Sequence, residues 1–70
     1  MGEEAGKVRL VVDGLDTVGE AANFLKISRS FAYSLMDSGS LPFVKIGKSR
    51  RIPRRALIEF AARNLRSEEA

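Results

Sequence analysis

Between Lys45 and Arg55 the chain reads Lys45-Ile46-Gly47-Lys48-Ser49-Arg50-Arg51-Ile52-Pro53-Arg54-Arg55, with six cations and no acid. The chemistry such a run supports is capture of a polyanion, because clustered lysines and arginines focus a positive potential and displace counterions from a phosphate backbone. Val44, Ile46 and Ile52 are spaced through it, so it reads as folded structure presenting cations to one side. A second pointed group lies upstream. Ser30, Tyr33, Ser34 and Asp37 share one side of a helical projection, with Arg29 in the first turn and Ser28 before it. Arginine offers paired donors to a guanine edge, hydroxyls reach bases or phosphates, and a helix N-terminus itself favours phosphate. The bland reading of this face is a solvated polar surface with Tyr33 packed on its neighbours.

Other chemistries lack their residues. Cysteine and histidine are both absent, which removes disulfides, thiolate and imidazole metal sites, and the commonest general base. Gly47-Lys48-Ser49 imitates the end of a phosphate-binding P-loop, but the first glycine of that motif falls on Pro42. Glu20 has a capping role and Glu59 belongs to a solvated helix face, so no nucleophile, base and orienting group come together. The expectation is a protein that is not an enzyme and needs neither cofactor nor metal.

The net charge of +3 conceals an asymmetry. Acids gather at both ends, in Glu3, Glu4, Asp13 and Asp16 and again in Glu68 and Glu69, while no carboxylate lies between Ser38 and Ile58. Such segregation points to a partner surface. Seventy residues allow one domain, which at this size buries only about 60% of its unfolded surface. No stretch has the length of a membrane span and the N-terminus lacks a secretion signal, so no membrane partner and a cytoplasmic, nucleoid-associated location are expected.

The elements that position these groups follow from local signals. Residues 1–14 read as an N-terminal arm, flexible or forming a short strand over Val8–Val12, with fraying of the first seven residues and a turn at Asp13-Gly14. Thr17-Val18-Gly19-Glu20 fits a capping box, and Val18, Ala21, Ala22 and Leu25 continue as one apolar face, so a helix runs to Leu25 or Lys26. Ser28 caps a second helix to about Ser38, which buries Ala32, Leu35 and Met36 and stops at a left-handed Gly39. Two helices joined so tightly form a helix-turn-helix candidate. A hairpin follows, turning at Gly47-Lys48-Ser49 and leaning on the helices through Val44, Ile46 and Ile52. Pro53 opens a third helix to about Asn64, with Ala56, Leu57, Phe60 and Ala61 inward.

The fold class is therefore mainly α with a small β-hairpin, ordered helix, helix, two-stranded wing, helix, over residues 15–65, with residues 66–70 a frayed C-terminus. Arg29, Arg54 and Arg55 fall in first turns, the wrong sign for the helix dipole, which an anionic partner would offset. Phe24, Phe43 and Phe60 are core candidates, leaving few aromatic platforms for stacking unpaired bases. Duplex DNA is favoured over RNA.

In the order and spacing of Thr17–Ser30, Gly39-Ser40-Leu41-Pro42 and Val44–Pro53, the chain resembles the excisionase-family DNA-binding domain, a winged helix-turn-helix module related to the DNA-binding part of MerR-family regulators. The resemblance implies that the helix from Ser28 enters a major groove while the wing tracks the backbone or an adjacent minor groove. The candidate DNA-binding set is Ser28, Arg29, Ser30, Tyr33 and Ser34 on the recognition helix. Lys45, Gly47, Lys48, Ser49, Arg50 and Arg51 belong to the wing, with Arg54 and Arg55 as a clamp at the third helix. Phe31 and Ala32 depart from the family's usual small polar and larger aliphatic residues.

The resemblance further implies a small architectural protein, an excisionase or recombination directionality factor that binds double-stranded DNA selectively and works with an integrase or with neighbouring copies of itself. A small transcriptional regulator of phage or plasmid type is the alternative. A protein interaction module is the second alternative. The dimerisation helix and effector domain of full MerR-type regulators are missing from the pattern, so no small-molecule effector is expected.

Overall fold

The computed structural model describes residues 8–67; of the expected frayed ends, residues 1–7 and residues 68–70 of the 66–70 segment lie outside them. In chain order the elements are β1 (Leu15–Thr17), α1 (Val18–Leu25), α2 (Arg29–Asp37), β2 (Val44–Ile46), β3 (Ser49–Pro53) and α3 (Arg54–Arg63). Among the described residues no helix is long and apolar enough to cross a membrane.

The capping box forms as its spacing requires. Thr17 Oγ1 accepts the Glu20 N–H at 3.0 Å, and the Glu20 carboxylate accepts the Thr17 N–H at 2.9 Å. The Glu20 carboxyl is consequently held below its ordinary value of 4.5, first by the Thr17 backbone and then by the Thr17 side chain. Helix α1 ends at Lys26, the one non-glycine residue with positive φ among those described, where the Ile27 N–H turns back to the Ala22 carbonyl. Ser28 Oγ then accepts the Phe31 N–H at 3.0 Å and starts α2. At the other end Gly39, at φ 84°, lets the N–H groups of Gly39 and Ser40 reach the Met36 and Leu35 carbonyls, a Schellman closure.

Alanines decide how closely the helices approach. Ala21, Ala22, Ala32 and Ala56 are buried together with Val18, Met36, Leu41, Ile52 and Leu57, so α1 meets α2 and α3 over small side chains while Leu41, Ile52 and Leu57 fill the centre. Leu35, Phe43 and Phe60 pack against this core from its edge. Three expected core residues, Ala61, Ile46 and Phe24, lie outside it. Ala61 is exposed near the end of α3, a turn beyond Leu57, the last buried residue of that helix. Ile46 is 56% exposed because it sits at the tip of the wing, beyond the reach of the helices, and Phe24 is exposed on α1 with the Arg54 guanidinium laid over its ring at 4.8 Å.

The winged helix-turn-helix architecture is present, with one strand more than the two-stranded wing that the sequence suggests. The sheet order is β1-β3-β2, antiparallel throughout. Ile46 pairs with Ser49 across a two-residue turn, and the positive φ of 62° falls on Gly47, its first residue, the arrangement of a type II′ hairpin turn. On the other side Leu15, Asp16 and Thr17 pair with Pro53, Ile52 and Arg51. Thr17 is thus both the last residue of a strand and the cap of α1, so the ladder ties the root of the wing to the start of that helix.

The strand expected over Val8–Val12 does not form; residues 8–11 are helical. Both sides of β3 are already occupied by β1 and β2, and in helical form Leu10 packs on the core while Arg9 pairs with Glu59 of α3. β-propensity here yields to tertiary context.

Candidate nucleic-acid interface

The β1–β3 ladder brings the wing beside the N-terminal turn of α1, and the tight α1–α2 connection brings the start of α2 to the same place. Between them lies an open groove of about 360 Å³. Its walls include Arg29 and Tyr33 from α2, Lys48 and Arg51 from the wing, Gly19 from α1 and Thr17, the cap of that helix; no carboxylate lines it. Four cations face this groove, since Arg50 also contributes to the wall. The first amides of a helix have no intrahelical partner, so Val18 and Gly19 add backbone donors at the positive end of the α1 dipole. The arrangement suits an extended anion able to touch both helix and wing.

Arg54 and Arg55 of the basic run are engaged inside the molecule. Arg54 Nε stands 2.9 Å from Asp16 Oδ2, out of line for a hydrogen bond, while Nη2 donates to Oδ1 at 3.3 Å. Asp16 is only 8% exposed, so this pair is shielded on the carboxylate side. Arg55 pairs with Asp13 at 2.8 Å. The dipole conflict at the start of α3 is therefore relieved by two acids supplied from the chain itself. Arg50 is similarly held: its guanidinium pairs with Asp37 at 3.1 Å and lies over the rings of Phe43 (4.6 Å) and Tyr33 (5.3 Å). Each such stacking contact contributes about 0.5–1 kcal/mol, so Arg50 braces the wing against α2.

Residues 17–65 match a known family described as the helix-turn-helix domain. The chain belongs to that family. It is 44% identical over 54 residues to a protein of Saccharopolyspora erythraea named "Probable excisionase", a match covering 77% of this chain and 55% of the other. It is also 43% identical over 44 residues to "Putative antitoxin VapB50" of Mycobacterium tuberculosis, covering 63% of this chain and 34% of the other. The chain thus spans about half or less of the length of these curated relatives. No solved structure matches it. The kinship with excisionase-family DNA-binding domains expected from motif order is borne out.

Within this helix-turn-helix domain the expected contact residues divide. Arg29, Tyr33, Lys48, Ser49, Arg50 and Arg51 come together at the groove, and Gly47 makes the turn that projects Lys48. Ser30 and Ser34 lie exposed on α2, Ser28 is occupied as a cap, and Lys45 is exposed on β2 away from the groove. Arg54 and Arg55 stand apart in their ion pairs. What the sequence reading missed is the start of α1, where Val18 and Gly19 form one wall. The signal was present in the capping box, which marks a helix N-terminus, but nothing local says which surface that end faces.

Proposed function

We propose that this helix-turn-helix domain binds double-stranded DNA, with α2 presented to a major groove and the β2–β3 wing following the adjacent backbone. One observation carries the reading: cations from α2 and from the wing, together with the open amides of α1, converge on a groove that no carboxylate lines. Ser30, Tyr33 and Ser34 form the face available for sequence choice, while Lys48 and Arg51 supply affinity that is indifferent to sequence. We further propose the role of an excisionase, an architectural protein acting beside an integrase, supported by the 44% identical relative and by motif order. The small-regulator alternative draws on the 43% identity to a protein named as an antitoxin.

The test is titration of labelled duplexes over a range of salt. Affinity is expected to fall steeply as salt rises, with Lys48→Ala and Arg51→Ala each lowering the log–log slope by about one unit on every sequence. Absence of duplex binding at low salt would refute the reading. Excision of a matched attachment-site substrate by its integrase, with and without this protein, separates the two roles.

A further inference from the structure

Gly19 is the second residue of α1, and its backbone needs no glycine: the positive-φ residues among those described are Gly14, Lys26, Gly39 and Gly47. Inside a helix, glycine is about 1 kcal/mol worse than alanine. The reason for it lies in space. A Cβ built on Gly19 would stand 2.8 Å from Arg29 Nη2 and 3.3 Å from both Cζ and Nε, and these three guanidinium atoms are its nearest neighbours. The Arg29 guanidinium rests in the gap that the missing side chain leaves.

Its resting place is electrostatically odd. A cation lies against the positive end of α1 while itself springing from the first turn of α2, and among the described residues no carboxylate pairs with it. Two helix dipoles and one full charge therefore point the same sign into the groove, with the α1 amides alongside. A tetrahedral anion reverses all of these terms at once, whereas the edge of a neutral base reverses few of them.

We propose that Gly19 is a positioning residue for DNA binding: by lacking a side chain it seats the Arg29 guanidinium beside the first turn of α1, where the two together clamp one backbone phosphate. The inference rests on the duplex-DNA reading above and assigns Arg29 to the phosphate rather than to a guanine edge. The atom that a new methyl would meet is the far end of a flexible side chain, so Gly19→Ala displaces Arg29 without breaking the core.

The experiment compares the parent chain, Gly19→Ala, Arg29→Ala and the double variant on a labelled random-sequence duplex, alongside thermal melting. Gly19→Ala is expected to melt no lower than the parent yet to bind roughly tenfold more weakly, the scale of one charge-assisted hydrogen bond. In the Arg29→Ala background the same change is expected to leave affinity unaltered, which a merely structural role would not produce. Equal binding by Gly19→Ala, or equal weakening in both backgrounds, would overturn the proposal. If the parent itself fails to bind the duplex, the DNA reading falls before Gly19 is tested.

Discussion

The Asp16–Arg54 pair permits a sharp test, because the structure makes Arg54 a strut while the basic run alone would make it a DNA contact. Asp16 is buried and the Arg54 side chain is 38% exposed, with its guanidinium over Phe24. A hydrogen bond between charged groups contributes about 1.5–3 kcal/mol, and exposure on the arginine side reduces this to about 1–2 kcal/mol. Against a total stability of roughly 3–10 kcal/mol for a chain this long, that is a large share. Asp16→Ala also leaves a cation unpaired at the positive end of α3, so it is expected to cost at least as much as the pair is worth. Urea unfolding followed by circular dichroism on the parent, both single variants and the double variant gives the coupling directly. A coupling below about 0.3 kcal/mol, the size expected of unrelated sites, would refute the assignment. The binding arm is equally specific: Arg54→Ala is expected to leave the salt slope of duplex binding unchanged, and a fall of about one unit would restore Arg54 to the DNA-contacting set.

Three further outcomes are expected. Gly39→Ala meets no atom within 4 Å of the new Cβ, so its cost is purely that of a left-handed backbone, about 1 kcal/mol or a melting-temperature loss of roughly 4–8 °C; an unchanged melting curve would contradict this. Asp37→Ala releases Arg50 from an exposed ion pair, lowering stability by less than about 1 kcal/mol while tightening binding to random duplex, as read by fluorescence anisotropy. Acid weakens the fold in a defined direction. The Glu20 and Glu59 carboxyls are held below 4.5 in the folded chain, by Thr17 and by Arg9 respectively, so their stabilisation is present above that value and is lost as pH falls through the lowered folded values. Glu20→Gln is expected to shrink the drop in melting temperature between about pH 5 and about pH 3.

The elements legible in advance are those whose signals are local. The Thr17–Glu20 box, the Ser28 cap, Gly39 after α2 and Gly47 in the hairpin each act within a few residues, and each does in space what its spacing implies. The helix-turn-helix and its wing follow from these signals placed in order. The three-residue strand β1 is too short to carry a pattern of its own and exists because β3 offers it an edge. The valines before Asp13 favour extension locally, yet residues 8–11 turn helical where Leu10 finds the core and Arg9 finds Glu59.

The candidate site divides along the same line. The sequence by itself determined that this chain gathers cations about a short helix and a wing, and hence that it suits a polyanion, because charge and periodicity are properties of the chain. Which of those cations remain open to a partner was decided only by the tertiary structure. Arg54 and Arg55 are neutralised by acids 38 and 42 positions away, and Arg50 is braced by Asp37 and two rings. The room for the Arg29 guanidinium is left by Gly19 on another helix. Such pairings depend on distances that folding sets, and an ion pair or a missing methyl leaves no periodic trace along the chain.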